Sequence, residues 1–220
     1  MDFAIYDMDR TITRHATYTP FLLHCALRRA PWRLLLLPLV VASMLAYVLK
    51  LIDRAKLKEI NHRLLLGHKR HPHELKPLVD SFAERTVASN IRPGARKAIE
   101  RDKAEGRRVV MATASYRLYA LAIGERLGFD DVIGTGSIIG LDERVHAKID
   151  GENCYGPAKL RMVTDWLEKS GYERGNVRFY SDHASDAPVF EWSDEAVAVN
   201  PHARLARMAI VRGWTVEDWS

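Results

Sequence analysis

The chain has 220 residues, of which 47% are hydrophobic and 28% are charged, so it is long enough to bury a substantial core. Its two cysteines, Cys25 and Cys154, lie far apart and in no metal-ligand spacing, which argues against a disulfide framework and favours a reducing compartment. The N-terminus carries Asp2 and leads directly into an apolar strand, without the basic start and apolar core of a signal peptide. We therefore expect a cytoplasmic protein.

Positive charge is concentrated in one part of the chain. Residues 13–88 hold 13 Lys and Arg against 5 Asp and Glu, a net charge of +8, whereas the remainder holds 20 against 23, a net charge of −3. This asymmetry favours an anionic substrate or an anionic membrane surface. The positive charges surround an apolar segment and are not interleaved with aromatic residues, so we expect no nucleic-acid partner.

In chain order, an apolar strand at residues 4–6 is followed by a predicted helix at residues 18–29. Residues 34–49 are then free of charge and are interrupted by Pro38. This run is shorter than the roughly 18 to 20 apolar residues that span a bilayer. It fits a buried helix of a helical insertion, and it also fits a helix that lies in a membrane surface. The second interpretation, peripheral membrane contact through residues 31–58, is favoured by the flanking cations Arg28, Arg29, Arg33, Lys50, Arg54, Lys56 and Lys58.

The remainder of the chain alternates between helical and strand patterns. Residues 57–87 are helical and strongly charged, with breaks at Gly67 and Pro72, and their histidines indicate a solvated basic face. The later predicted strands are 109–112, 131–134, 177–180 and 196–199, and the predicted helices are 95–105, 118–127 and 159–169. Residues 138–149 are predicted to form a strand pair closed near Asp150, and the chain is predicted to end with a helix and a short strand. This alternation predicts an α/β fold with a Rossmann-like parallel sheet in three α/β/α layers.

Polar residues follow several of these strands, where ligands bind in parallel sheets. Asp7 and Asp9 leave the first strand together, and their mutual repulsion calls for a cation or donors from elsewhere in the chain. Thr113, Ala114 and Ser115 follow the next core strand and can offer a hydroxyl and backbone N–H groups to a phosphate oxygen.

Two further positions complete the set. Lys159 falls in the first turn of a predicted helix, where the helix dipole disfavours a cation unless an anion lies nearby. Asp182 and Asp186 lie at the end of a strand and one helical turn later, so both can face one crevice. Oxygen-rich sites of this kind suit Mg²⁺, which takes one or two carboxylates together with substrate phosphate and water.

These residues, in this order, resemble the four motifs of the haloacid dehalogenase superfamily, in the subfamily IB branch that is similar to phosphoserine phosphatase. The motifs are Asp7-Met8-Asp9-Arg10-Thr11, Thr113, Lys159, and Asp182 with Asp186. The resemblance covers nearly the whole chain. It implies a catalytic core formed by residues 1–12 and 89–220 and an all-helical cap formed by residues 13–88.

The resemblance also implies a role for each motif residue. Asp7 is the expected nucleophile of a phosphatase that forms an aspartyl-phosphate, and Asp9 is the expected acid and base. Thr113, Ala114 and Lys159 are expected to bind the substrate phosphate, and Ser115 can share the role of Thr113. The implied Mg²⁺ ligands are Asp7, Asp9 through its backbone carbonyl, and Asp182, supported by Asp186.

The substrate is less determined. Ala16 stands where phosphoserine-specific members carry an acid, so phosphoserine is a poor candidate, and Arg14, His15 and the basic cap favour an added negative charge. The substrate is then a soluble phosphorylated metabolite or a lipid phosphate such as lysophosphatidate or phosphatidylglycerophosphate, handled at the inner face of the membrane. A phosphoacceptor signalling protein is the alternative class, disfavoured by two aspartates on one strand.

Overall fold

Eight strands form one sheet at the centre of the molecule, in the order β2-β5-β4-β3-β1-β6-β7-β8. The computed structural model describes all residues from 1 to 220. The strands are β1 (Phe3–Tyr6), β2 (Lys69–Arg70), β3 (Arg108–Tyr116), β4 (Asp131–Ile139), β5 (Val145–Asp150), β6 (Val177–Ser181), β7 (Glu195–Val199) and β8 (Thr215–Glu217). From β4 through β8 in the sheet order all neighbours are parallel, as the alternating pattern predicts.

Helices cover both faces of this sheet. They are α1 (Tyr18–Arg29), α2 (Leu37–Val48), α3 (Arg54–Leu65), α4 (Pro72–Ser89), α5 (Pro93–Ala104), α6 (Arg117–Leu127), α7 (Pro157–Ser170), α8 (Ala187–Trp192) and α9 (Ala203–Arg212). Ala4 and Tyr6 of β1 pack with α1, α4, α5 and α6, whereas Phe3 and Ile5 pack with α7, α8 and α9. This alternation along a strand buried on both sides confirms the three-layer α/β/α architecture.

Two details differ from the predicted pattern. The strand pair formed by β4 and β5 is antiparallel and turns at residues 140–144, so Asp150 ends the second strand and does not lie in the turn. The segment between β1 and α5 is not entirely helical, because the two-residue strand β2 pairs with β5 at the edge of the sheet. A short basic edge strand of this kind exposes few unpaired backbone groups to another chain.

The inserted segment is closed at its base and shares its core with the sheet. Thr13 forms an isolated antiparallel bridge with Ile91, so the chain leaves and re-enters the core at one point. Phe21 and Phe82 of the insertion belong to the same apolar cluster as Tyr6 of β1. The 3₁₀ helix Pro31–Leu36, α2 and α3 therefore form the outer part of the insertion, above α1 and α4.

β1 is short and central, and this positions the residues that follow it. Tyr6 is in register with Met111 of β3 on one side and with Tyr180 of β6 on the other. Beyond Tyr6 the backbone forms a tight irregular turn from Met8 to Ile12, in which Asp9 is extended and Arg10 adopts a positive φ of 67°. The chain after β1 thus turns sharply beside the carboxyl ends of β3 and β6.

Candidate active site

The carboxyl ends of β1, β3 and β6 border one cavity of about 440 Å³. The cavity is lined by every motif residue that the sequence singled out, namely Asp7, Asp9, Thr113, Ala114, Ser115, Lys159, Asp182 and Asp186. The structure thus brings together residues that lie up to 179 positions apart in the chain, from Asp7 to Asp186.

A buried lysine joins two of the carboxylates. Lys159, in the first turn of α7, donates to Asp7 Oδ1 at 2.7 Å and to Asp186 Oδ2 at 2.6 Å. The side chain of Lys159 is only 2% exposed. Burial by itself lowers the pKa of Lys159, but the charges of Asp186 and Asp7 outweigh it and raise the pKa above its ordinary value. Lys159 is therefore a permanent cation held by anions, as its unfavourable helix position predicts.

The carboxylates carry more negative charge than this lysine neutralises. Burial raises the pKa of Asp7 to about 7, and the charges of Asp186 and Asp182 act in the same direction against the opposing effect of Lys159. Burial also raises the pKa of Asp182. Asp186 Oδ1 is buried with no hydrogen-bond partner. Around Lys159, three buried carboxylates share one ammonium, so this part of the cavity favours a further cation.

Thr11 connects the first and last motifs. Its hydroxyl accepts a hydrogen bond from the backbone N–H of Asp182 at 2.9 Å. The same hydroxyl lies 3.3 Å from Asp7 Oδ2 and 3.3 Å from Asp182 Oδ1, and its one proton can serve only one of them at a time. Asp182 Oδ2 also lies 3.2 Å from His202 Nε2. Asp7 and Asp182 therefore face each other across a single donor.

Asp9 is held by a separate hydrogen-bond network. Its Oδ1 accepts from the backbone N–H and the hydroxyl of Thr17, each at 2.7 Å, and its Oδ2 accepts from Ser115 Oγ at 2.6 Å. Tyr119 supports the network by donating to Ser115 Oγ at 2.6 Å. These contacts fix the position of the Asp9 carboxyl at the cavity wall without a charged partner. Ser115 thus acts on Asp9 in this structure, while the Thr113 hydroxyl accepts from the Ser115 N–H at 3.0 Å.

A second lysine reaches the cavity from the insertion. Lys58 of α3 is buried, and its ammonium donates to the backbone carbonyl of Ala114 and to Asn153 Oδ1 at 2.6 Å. It has no carboxylate within ion-pair distance. Burial, together with the charge of Arg54, lowers the pKa of Lys58 to about 7. A buried ammonium that contacts only neutral oxygens is available to an anionic ligand.

Only some of the cations that the sequence suggested for a second substrate charge line the cavity. Arg10, Arg54 and Lys58 line it, whereas Arg14 and His15 do not. The backbone N–H groups of these two residues bond to Asn90, and their side chains are exposed. Arg14 and His15 are close to Asp7 in sequence but lie outside the cavity, because the chain turns between Ile12 and the start of α1. Ala16, by contrast, does line the cavity.

Several residues of the site carried no sequence signal of their own. Lys58 and Arg54 lie in a charged helix among many other cations. Their spacing of four places both on one helical face, and this is the one sequence feature that indicates a common ligand. Thr17 and Tyr119 are polar residues of ordinary type, and His202 comes from a loop after β7. Their roles follow from contacts between distant segments.

Comparison with known proteins identifies the family of this chain. The model of the haloacid dehalogenase-like hydrolase family matches residues 4–191. The chain is 31% identical over 146 residues to the "Inhibition of morphological differentiation protein" of Streptomyces azureus, covering 66% of this chain and 52% of that one. It is 30% identical over 146 residues to phosphoserine phosphatase SerB1 of Mycobacterium tuberculosis, covering 66% of this chain and 47% of that one.

Among solved structures, a Bordetella pertussis Tohama I protein of unknown function superposes with a TM-score of 0.89 at 23% identity, covering 100% of this chain and 99% of the other. The likeness to this structure concerns the fold. The chain spans about half the length of the first two relatives. The family match extends from β1 to α8 and includes all four motifs. The chain therefore belongs to the haloacid dehalogenase-like hydrolases.

Proposed function

We propose that the protein is a phosphatase that hydrolyses a phosphate monoester through a phosphorylated Asp7. The observation that carries this proposal is the contact of Lys159 with both Asp7 and Asp186, beside Asp182, at the carboxyl ends of the central strands. The names of similar proteins, among them a phosphoserine phosphatase, support the same reaction class.

In the first step, an Asp7 oxygen forms a bond to phosphorus while the bond from phosphorus to the leaving oxygen breaks. The leaving oxygen takes a proton from the carboxyl of Asp9, which Thr17 and Ser115 hold at the cavity wall. Lys159, the Thr113 hydroxyl and the backbone N–H of Ala114 bind the transferring phosphoryl oxygens. The ammonium of Lys159 is already ordered by its two carboxylates, so little reorganisation is needed in the transition state.

In the second step, water attacks the phosphorus of the aspartyl-phosphate and gives its proton to Asp9. The bond between phosphorus and the Asp7 oxygen breaks, so inorganic phosphate leaves and the Asp7 carboxylate is restored. Asp9 thereby returns to its protonated form, and both residues are ready for another cycle. The arrangement divides one difficult displacement into two easier ones.

The residues present fit a Mg²⁺ cofactor. The buried carboxylates exceed the buried cations, and Asp186 Oδ1 lacks a partner. No group of three or more His, Cys, Asp or Glu side chains is close enough to hold an ion alone. The proposed ligands are accordingly two carboxylates, Asp7 and Asp182, and the backbone carbonyl of Asp9, with Asp186 in support. When bound, Mg²⁺ would supply positive charge to the transferring phosphoryl group.

The cavity favours a substrate that carries a negative charge in addition to the phosphate. Lys58 and Arg54 stand on the side of the cavity formed by the insertion, and residues 13–88 act in this proposal as a cap that selects the substrate. Ala16 offers no carboxylate to a substrate ammonium group, so phosphoserine is not the proposed substrate. A soluble phosphorylated metabolite and a lipid phosphate both meet these conditions, and we propose a cytoplasmic enzyme for either.

Replacing Asp7 with Asn should abolish turnover. With Mg²⁺ present, phosphate release from p-nitrophenyl phosphate should fall by about 10³-fold or more, because the amide cannot attack phosphorus. Asp165→Asn, which changes an exposed carboxylate on α7, is the matched control and should match the wild type. Equal turnover by Asp7→Asn would exclude Asp7 as the nucleophile, and a wild-type phosphoprotein that water does not clear would favour the signalling role.

Replacing Asp9 with Asn should separate the two chemical steps. p-Nitrophenolate leaves without needing a proton, so the first turnover should persist as a burst of p-nitrophenol in a stopped-flow trace. Steady-state turnover should fall by about 10²- to 10⁴-fold, because no base remains to activate water. If the burst amplitude and the steady-state rate fall by the same factor, Asp9 does not act as the base that activates water.

Removing the Asp7 charge should change how stability depends on pH. The pKa of Asp7 is about 7 in the folded protein against an ordinary 3.8, so ionisation of Asp7 opposes folding and stability is lost as the pH rises from about 4 to about 7. In EDTA, urea unfolding should show Asp7→Asn gaining up to a few kcal/mol relative to the wild type between pH 5 and pH 8. Saturating Mg²⁺ should reduce this gain in stability. If the stabilities of the wild type and Asp7→Asn depend on pH in the same way in EDTA, the inferred cost of ionising Asp7 is wrong.

Lys58 should determine preference for a second anionic group. Lys58→Met should lower kcat/KM for 2-phosphoglycolate by about 10- to 100-fold, the value of a charge-assisted hydrogen bond, with little change for p-nitrophenyl phosphate. Lys56→Met, an exposed cation on the same helix, is the control. Since the pKa of Lys58 is about 7, the wild-type preference should weaken as the pH rises above 7. Equal losses on both substrates would assign Lys58 a structural role.

A further inference from the structure

The outer surface of the insertion is unusually apolar. We call this surface the apolar cap face, and it is formed by the 3₁₀ helix, α2 and the turn that follows. Its exposed side chains are Trp32, Leu35, Leu37, Leu39, Val41, Leu45, Val48, Leu49 and Leu51. Soluble monomers seldom expose so many large apolar side chains together, so this face calls for an occupant.

Contacts within the protein use only one side of α2. Val40 and Ser43 are its buried residues, and the Ser43 hydroxyl donates to Asn61 Oδ1 of α3 at 2.8 Å. The apolar stretch Pro31–Val48 is long and apolar enough, by length and composition alone, to cross a membrane, yet only 11% of it is buried. A core helix of the same composition would be mostly buried. The apolar character of α2 is therefore not explained by packing inside the molecule.

The charges around the apolar cap face are positive. Residues 28–58 contain seven Lys and Arg, the flanking cations named above, and a single acidic residue, Asp53. Asp53 is already engaged, because its carboxylate caps α3 by accepting from the Lys56 N–H at 2.7 Å. An apolar helix with a cationic rim is complementary to a surface that is apolar inside and anionic at its boundary, which describes an anionic lipid bilayer.

The geometry favours a helix that lies in the membrane surface over one that crosses it. The stretch Pro31–Val48 is not one regular α-helix, because its first six residues form a 3₁₀ helix. α2 alone has 12 residues and rises about 18 Å, whereas a hydrocarbon core is roughly 30 Å thick. The chain also enters α2 from the side of α1 in sequence and returns through α3, and α1 and α3 pack against each other. A single crossing would separate them.

The apolar cap face borders the candidate active site. Met44 and Tyr47 of α2 line the cavity, as do Leu57 and Lys58 of α3. The inner side of α2 thus forms an apolar wall of the cavity while its outer side is exposed. A molecule whose tail lies in a bilayer beneath α2 can extend its head group along this wall towards Lys58 and Asp7.

We propose that the apolar cap face docks on an anionic bilayer and that the cavity takes the phosphorylated head group of a membrane amphiphile. The docking half stands independently of catalysis. The substrate half rests on the proposed phosphatase function. A second copy of the chain is a poorer occupant, because a two-fold contact through this face would bring two cationic rims together.

Vesicle flotation tests the docking half. The wild type should float with vesicles of phosphatidylcholine and phosphatidylglycerol, and should bind vesicles of phosphatidylcholine alone at least 10-fold less well. The variant Val41→Gln/Leu45→Gln/Val48→Gln should lose most of the binding to the anionic vesicles. Ile210→Gln/Val211→Gln on α9 is the matched control, because both residues are 81% exposed yet lie on the catalytic core, and it should float like the wild type.

Two measurements keep the halves of the proposal apart. All these variants should hydrolyse p-nitrophenyl phosphate at the wild-type rate, since none of the changed residues lines the cavity. Asp7→Asn should float like the wild type while being inactive, so a failure of the phosphatase proposal leaves the docking result intact. Release of phosphate from lysophosphatidate in anionic vesicles should fall at least 10-fold in the triple variant.

Five results would overturn the proposal or one half of it. Docking through this face is excluded if the wild type stays in the soluble fraction with anionic vesicles. It is also excluded if the triple variant floats as well as the wild type. A wild-type dimer in sedimentation that the triple variant makes monomeric, without vesicle binding, makes the face a contact between copies. Membrane-bound protein that resists alkaline carbonate extraction means that the segment spans the bilayer. If the protein binds vesicles but hydrolyses soluble esters and no lipid phosphate, the substrate half is overturned and the docking half is upheld.

Discussion

The structure depends on one ammonium group placed between carboxylates. Lys159 is almost fully buried and donates to both Asp7 and Asp186. These two hydrogen bonds connect α7 to the segment that follows β1 and to the 3₁₀ turn that follows β6. Removing Lys159 would leave both carboxylates without their buried cation. Even so, the lysine compensates only part of the negative charge, since Asp182 is also buried nearby. The three carboxylates around Lys159 therefore favour a further cation, which agrees with the proposed cofactor. The proposed preference for an anionic substrate rests instead on Lys58 and Arg54 of the insertion.

The fold supplies the precision that this arrangement needs. β1 has only four residues, all buried, and is paired on both sides in parallel register. Beneath the site, Tyr180 donates to the fully buried Asp102 of α5 at 2.9 Å, and Tyr6 and Arg178 contact the same carboxylate. The strands that carry the acidic residues are thus fixed to a helix as well as to each other. The reactive groups themselves lie just beyond the strand ends, on the irregular turn after β1, at the start of α7 and on a 3₁₀ turn after β6.

Much of the core site could be predicted from the sequence, because strand ends in a parallel sheet meet at one edge. That rule alone brings Asp7, Thr113 and Asp182 together, and the unfavourable helix position of Lys159 indicates its anionic partners. The rule has no equivalent for side chains from an insertion, whose helices pack at angles that local patterns do not specify. Lys58 was consequently one cation among many, whereas Arg14 and His15 were favoured by nearness to the nucleophile and lie outside the cavity. For the same reason the sequence left open whether residues 34–49 are buried, and the structure exposes most of their large side chains.

The insertion combines two surfaces that serve one purpose in our proposal, an inner side that closes the cavity and an outer side that meets a bilayer. The inner side matters only if the chemistry at Asp7 takes place, and that chemistry is the central claim. Its most direct test is to mix the enzyme with substrate and Mg²⁺, quench in acid within the first turnover, reduce with borohydride and sequence the peptides by mass spectrometry. Borohydride converts an aspartyl-phosphate to homoserine, so the account predicts homoserine at position 7 and nowhere else. Unmodified Asp7 during active turnover, or homoserine at Asp9 or Asp182, would contradict it.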